Sequence, residues 1–488
     1  MSENYGIHWF RRDLRVAGNP ALQLNWKEND GRVLGIFCFD KSFLSRPDFS
    51  VNRFQLFINT LISLKQELED IGSDLLFLDV GPEKAFKELF NTLKKRNSLP
   101  SLFTCNRDYE PFSRIRDKSI SELMKSYEVK VQTCRDHLLI EPHEVYRSKV
   151  SEGYKVFTPF SRKWLAAFSK EDVQRRIEIQ KKGFDYLNSK PEKLKNLFNM
   201  SWSNLDIESV DNLEKYSTKN MKKVDVEIPD CGLRAALKNL DVFKNKISDY
   251  KDHRDIPSLS ATSRMSMFLK NGSITTSQII YYLGLKYFEK KDDSGVATYF
   301  KEIIWREFYY HVLYRWPEVE HSAFQSKYLN LKWENKKQWF EKWKEGNTGF
   351  PIVDAGMREL KNTGWMHNRV RMIVASFLTK DLLIDWKWGE KYFMEVLLDG
   401  DLAPNNGGWQ WAASTGCDAQ PYFRIFNPWS QSKRFDPRGE YIKKYVPELS
   451  TLEAKKLHSP ILDHPDYPAP IVDHSEQRKL ALAMYKFE

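Results

Sequence analysis

Between positions 399 and 411 the chain reads Asp-Gly-Asp-Leu-Ala-Pro-Asn-Asn-Gly-Gly-Trp-Gln-Trp. The segment gathers two carboxylates, paired asparagines, an adjacent glycine pair and two indoles. Carboxylates and amides read a polar heterocycle through hydrogen bonds. Glycines let the backbone come close, and indoles stack on flat rings or give up electrons. Together they ask for a planar, polar, redox-active ligand. A calcium loop also opens with residues like Asp399 and Asp401. Here Ala403 stands where a further oxygen ligand is needed, and Gln410 stands where Glu closes such a loop, so calcium is rejected. Trp409 and Trp411 are two apart and point to nearly opposite sides. One can touch a cofactor while the other faces a cavity.

Three further constellations carry chemistry. Glu302, Trp305, Arg306 and Tyr309 fall at i, i+3, i+4 and i+7 and share one helix face. An acid, a base and two aromatics suit a ligand that needs stacking plus hydrogen bonds. An ordinary Glu302–Arg306 surface ion pair would show the same spacing. Residues 365–372 form a second mixed helix, with Asn368 and Met372 positioned to line one cavity and Arg369 and Arg371 within reach of phosphates. His367 reads as a packed or hydrogen-bonded histidine. Thr262, Ser263, Arg264, Met265 and Ser266 sit where an extended stretch meets a helical one. Their hydroxyls and amides suit a phosphate or pyrophosphate, or simply cap the helix.

The elements that must position these residues divide the chain. Apolar or β-rich runs at 7–10, 33–39, 75–80, 102–105 and 129–133 alternate with helical patterns, notably at 52–71 and 82–95. Such alternation predicts an α/β domain with a doubly wound parallel sheet over 1–135. No GxGxxG follows the first strand and no GxxxxGK[ST] occurs, so a Rossmann dinucleotide site or a P-loop is not expected. Trp9-Phe10-Arg11-Arg12-Asp13-Leu14-Arg15 follows instead, and reads as a charged turn capping the sheet. The pattern weakens over 136–225, a connector with a lysine-rich tract near 181–195. Over 226–488 strand signals nearly vanish. Helical stretches recur at 232–249, 276–288, 297–314, 336–344, 353–360, 366–382 and 390–397, predicting a larger all-α domain.

The whole chain narrows the function classes. Its 488 residues support a large buried core, and 29% charged residues fit a soluble globular protein. No signal peptide or membrane-length apolar run is visible. Cys38, Cys105, Cys134, Cys231 and Cys417 are scattered, without a CxxC pair, and read as free thiols with no metal site. A net charge of +10 suits a polyanion, nucleic acid first, though plain basic bias gives the same number. Neither a GxSxG elbow nor HExxH is present.

Taken in order, the motifs at 9–15, 157–160 (Phe-Thr-Pro-Phe), 262–266, 305–309, 363–369, 399–414 and 422–428 resemble the photolyase/cryptochrome family over nearly the whole chain. They are most similar to class I cyclobutane pyrimidine dimer photolyases. The resemblance implies an antenna chromophore in the α/β domain and FAD, reduced and anionic when active, in the helical one. It implies flavin contacts from Tyr250, Thr262, Ser263, Arg264, Met265, Ser266, Tyr299, Arg306, Asp399, Asp401 and Asn405, with Asn405 near the flavin N5. It implies a lesion pocket from Glu302, Trp305, Arg306, Tyr309, Asn368, Arg369, Met372 and Trp411, and DNA-strand contacts from Arg254, Arg424 and Gln431. Trp409, Trp386 and Trp333 match a tryptophan chain that photoreduces the flavin. Glu302 would hydrogen-bond a thymine carbonyl as negative charge develops there. The implied activity is light-driven repair of dimer-containing DNA by an intracellular, cytoplasmic or nucleoid-associated monomer.

Three positions depart from the pattern. Tyr299 replaces a common Trp, and Pro404 replaces a small residue. Phe112-Ser113 stand where folate-binding relatives carry Asn-Glu. That departure favours a deazaflavin, a second flavin or an empty antenna site over methenyltetrahydrofolate. Rival readings are a signalling cryptochrome, a single-strand-specific DASH protein, and a (6-4) photolyase; Asn368, in place of a histidine, disfavours the last.

Overall fold

The apolar runs of the first 135 residues become five strands in the computed structural model, which describes residues 4–185, 212–220, 224–289 and 291–486. These are β1 (Gly6–Phe10), β2 (Val33–Cys38), β3 (Leu75–Leu78), β4 (Leu102–Asn106) and β5 (Lys130–Cys134). All pairs are parallel, in the order β3-β2-β1-β4-β5. Every residue of β1 to β4 is buried, as expected for a sheet covered on both faces. Edge strand β5 is partly exposed and begins on Lys130, which blunts the edge.

One sheet face packs Ile7, Trp9 and Ile36 against Phe86, Leu89 and Phe90. The other packs Phe10, Phe37 and Phe39 against Ile58, Leu61 and Leu64. The fold class read from the sequence therefore holds. The helix Pro111–Ser126 was not legible, because among its sixteen residues only Ser113, Ile120 and Met124 are buried. Its start is set by Pro111 in the first turn, where a missing N–H costs nothing.

The expected connector behaves differently. Two helices, Phe157–Phe168 and Glu171–Asp185, occupy part of it. Phe160, Trp164 and Phe168 join the same core as Phe300, Ile304 and Phe308, so the first of these helices belongs to the packing of the helical half. Most of the lysine-rich tract lies outside the described residues.

The helical half has two large cores. One is organised around the helix Gly295–Arg315, the other around Pro351–Thr363, Asn368–Ser376 and Trp386–Val396. The helix Thr276–Tyr282 stops earlier than its pattern suggested, because Gly284 takes a left-handed φ of 62° just past its end. Residues 366–382 are not one helix. Asn368–Ser376 runs into a π-helical turn at Phe377–Asp381. The 399–411 segment becomes the helix Leu402–Ala412. It crosses Gly295–Arg315 at Gly407, where a Cβ would come within 2.1 Å of the Tyr309 ring, so only glycine permits the approach. Among the described residues no helix is long and apolar enough to cross a membrane.

Candidate functional site

The crossing of these helices leaves a cavity of about 530 Å³ in the helical half, within the range of small-molecule sites. Tyr250, Arg254, the 262–266 turn, Tyr299, Glu302, Trp305, Arg306, Tyr309, Asn368, Met372, Asp399, Asp401, Asn405, Trp409 and Trp411 all line it. No group of three or more His, Cys, Asp or Glu among the described residues is placed to hold a metal.

Both carboxylates of the Asp-Gly-Asp segment are buried and engaged. Asp399 accepts two hydrogen bonds from Arg371, at 2.9 and 3.1 Å, and one from the Ser266 hydroxyl at 2.6 Å. Arg371 is thus bound inside the site and not reserved for an outer phosphate, because the buried carboxylate of Asp399 needs its charge. Asp401 accepts from the Tyr310 hydroxyl at 2.6 Å and from Arg12 at 3.1 Å, with the Lys270 ammonium 3.4 Å away. Burial alone would raise its pKa. The charges of Lys270, Arg12 and Arg306, with the Tyr310 hydroxyl, override that and hold the carboxyl well below its usual range.

Arg12 comes from the charged turn after β1. It also binds Glu110 at 2.6 Å and Tyr310 at 2.6 Å. The turn read as a sheet cap therefore reaches across to the helical half, while Asp13 performs the capping by accepting from Asn106 and the Arg11 amide.

The glycine pair has two distinct roles. Gly407 permits the helix crossing. A Cβ on Gly408 would meet nothing within 4 Å and would project into the cavity, so the helix offers bare backbone to a flat ligand there. Three residues earlier, Asn405 donates to the Glu390 carbonyl at 3.0 Å, which fixes its amide. Burial, and then the nearby Asp48 charge, push the Glu390 carboxyl up to about 7. On the opposite wall the Tyr299 hydroxyl donates to Ser263 at 3.1 Å, and Tyr250 meets the Tyr299 ring edge-on at 5.3 Å. Arg264 holds a left-handed φ of 52° and lays its guanidinium over Trp365 at 4.1 Å. Such backbone strain concentrates at ligand clamps. Hydroxyls, paired carboxylates, cations and an open backbone face fit a flat heterocycle with a phosphate-bearing tail.

The outer part of the cavity is aromatic. Trp305 is half-buried and stacks face to face on Phe157, with centroids 3.7 Å apart and planes within 5°. The Phe-Thr-Pro-Phe motif thereby braces one face of the indole and leaves the other to the cavity. Trp411 also lines the cavity, 6.4 Å from Phe426. Asn368 is exposed at the rim, its amide 4.0 Å from the Met372 sulfur. Glu302 does not pair with Arg306 along the helix. It accepts from Arg254 at 2.6 Å, while Arg306 donates to the ring and carbonyl of His137. The i, i+4 spacing yields here to a partner 48 residues away.

Arg369, Arg424, Gln431, Trp386 and Trp333 are not part of the cavity lining. Arg369 binds Asp255 through two hydrogen bonds, at 2.8 and 3.2 Å, and covers Phe435 at 4.3 Å. Arg424 is exposed on the 421–426 loop, beside Phe423, which is 61% exposed. Gln431 is partly buried, with its Oε1 lacking a partner. Trp409 lines the cavity and is buried, 4.9 Å from Phe393 and 6.1 Å from Trp343. Trp386 is buried at the start of its helix, and Trp333 is half-buried, 6.2 Å from Tyr485.

A second cavity, of about 310 Å³, opens beyond the C-terminal ends of β1 and β2. Trp9, Phe37, Phe39, Phe43, Arg46 and Arg53 are among its walls. Met394, Leu398 and Gly400 also line it, and Gly400 borders both cavities.

Residues 6–178 match the family model for DNA photolyase, and residues 299–487 match that for the FAD binding domain of DNA photolyase. The deoxyribodipyrimidine photo-lyase of Alkalihalophilus pseudofirmus is 37% identical over 99% of this chain and 98% of its own length. A bacterial class III photolyase from Agrobacterium tumefaciens is 32% identical, with a TM-score of 0.83 over 99% of this chain and 98% of its own. An archaeal photolyase from Sulfolobus tokodaii, solved with two FAD molecules, is 33% identical, with a TM-score of 0.78 over 98% and 99%.

Proposed function

Because the chain belongs to the DNA photolyase family, we propose that its helical half binds FAD and uses light to split cyclobutane pyrimidine dimers in DNA. One observation carries the reading. A single cavity has a polar inner wall, Asp399, Asp401 and Asn405 beside the open Gly408 backbone, and an aromatic outer wall, Trp305 and Trp411 beside Glu302 and Asn368. The polar wall suits a flavin ring, and the aromatic wall suits extruded bases beside it. FAD, held by Asp399, Asp401, Asn405 and the 262–266 turn, would when reduced supply the light-driven electron that splits the dimer.

The chain's own groups bind and orient. Trp305, braced by Phe157, and Trp411 stack on the extruded bases, at about 1–3 kcal/mol per base. Glu302 and Asn368 face the polar edges of the bases. Arg424, exposed on the 421–426 loop, supplies a phosphate contact, and the exposed Phe423 next to it an apolar wedge. The net charge of +10 adds a salt-sensitive attraction to the backbone.

A duplex with a single thymine dimer, illuminated with chemically reduced protein, is expected to regain its two thymines, whereas a (6-4) lesion stays unchanged. A dimer that survives illumination would overturn the proposal. Glu302→Ala is expected to slow repair by about tenfold or more, as loss of a preorganised hydrogen-bonding group does. Dimer affinity should fall less. Equal losses in rate and affinity would remove any role confined to the reacting state.

The second cavity suits a flat antenna ring. Its aromatic walls and paired arginines fit a deazaflavin or a second flavin, and the Sulfolobus protein with two FAD molecules supports that choice. Phe112 stands half-exposed and edge-on to Phe43 at 5.2 Å, in place of the polar pair of folate binders. Extraction of the purified protein should release a flavin or deazaflavin beyond the first FAD. Release of a folate would overturn this choice.

A further inference from the structure

Glu302 and Arg254 both line the cavity, and their side chains retain 32% and 21% exposure. The guanidinium lies 2.6 Å from the carboxylate and 5.4 Å over the Tyr250 ring. Its Nε sits 3.9 Å from Asp255, which in turn holds Arg369. Four charges therefore alternate around the rim, Glu302, Arg254, Asp255 and Arg369, and each arginine is already held by an acid.

We propose that the Arg254–Glu302 pair is a latch, which withholds a DNA-binding arginine until a base fills the pocket and so sets the discrimination between damaged and undamaged DNA. The inference rests on reading the cavity as a lesion pocket. One guanidinium fork grips one oxyanion in bidentate fashion, either a carboxylate or a phosphate. Glu302 holds the guanidinium inward over Tyr250 through one Nη, so giving both fork nitrogens to a phosphate outside the pocket turns Arg254 away from Glu302, and a partly buried carboxylate loses its donor. An extruded thymine carries an imide N–H on its pairing edge, and that group replaces the guanidinium at Glu302. Undamaged DNA keeps its bases stacked and offers no such donor. Arg254 then stays on Glu302, and one phosphate contact is forgone.

The test is a double-mutant cycle read on undamaged DNA. Full-length, flavin-loaded wild type, Glu302→Gln, Arg254→Ala and the double variant are titrated with undamaged and dimer-containing duplexes over a series of salt concentrations. Glu302→Gln nearly preserves the side chain's shape and removes the anion, so Arg254 is released. It should bind undamaged DNA about threefold tighter or more, with a salt slope steeper by about one phosphate contact. The damaged-to-undamaged ratio should narrow. Adding Arg254→Ala should cancel the gain, and Arg254→Gln serves as a second variant if the alanine protein does not fold. Unchanged undamaged binding in Glu302→Gln would overturn the latch. So would a gain that survives without Arg254, since it would then reflect only the removed negative charge. Wild type supplies the separate control. If it shows no preference for dimer DNA, the lesion-pocket reading itself fails; if the preference is present and the cycle shows no coupling, only the latch fails.

Discussion

Trp409→Phe is expected to abolish most light-driven reduction of oxidised flavin while leaving repair by chemically reduced protein close to wild type. Trp409 touches the cavity on one side. On the other it packs onto the Gly389 backbone so closely that a Cβ there would lie 2.1 Å from the ring. Gly389 lies in the first turn of the helix that begins at Trp386. The indole is thus the oxidisable ring set between the cavity and the next element of the proposed chain. Phenylalanine fills much of the space but gives up an electron far less readily. Flavin content should stay constant, which separates lost transfer from lost binding. Photoreduction rates under anaerobic illumination provide the measurement. An undiminished rate in the variant would remove Trp409 from the path.

Asp399→Ala is expected to lower both flavin retention and thermal stability. Arg371 would lose both of its hydrogen bonds to Asp399, and Ser266 its acceptor. Stranding one member of a buried pair costs about 3–5 kcal/mol, toward the lower end here because Arg371 keeps some exposure. The lost charge also unpins the 262–266 turn from the start of the 402–412 helix, so the inner wall opens. The flavin-to-protein absorbance ratio and the melting temperature should both fall, and Asp399→Asn should lie between. A variant that keeps its flavin and melts like wild type would show that the pair does not organise the site.

Residues that work through a local pattern were legible in the sequence. The β-rich runs gave the sheet because a strand buried on both faces must be almost wholly apolar. The 399–411 segment stood out because its residue types suit no ordinary core. Residues that work through distant partners were not legible. Arg12 meets Asp401 across 389 positions, and nothing local marks either as the other's partner. Nothing in the local sequence marks Tyr310, yet its hydroxyl binds Asp401. Glu302 offered a tempting neighbour at i+4 and took Arg254 instead. The helix Phe157–Phe168 was hidden in a weak pattern, although its first residue braces Trp305. Local spacing reveals elements and residue chemistry, whereas partner choice among charged groups is settled by tertiary packing.

If one cavity holds a reduced flavin and an extruded dimer in contact, the excited-state lifetime of the bound reduced flavin must respond to the lesion. Titration with dimer-containing duplex should shorten that lifetime, because electron transfer to the lesion competes with emission, and undamaged duplex of the same sequence should leave it unchanged. A lifetime indifferent to saturating dimer DNA would contradict the account.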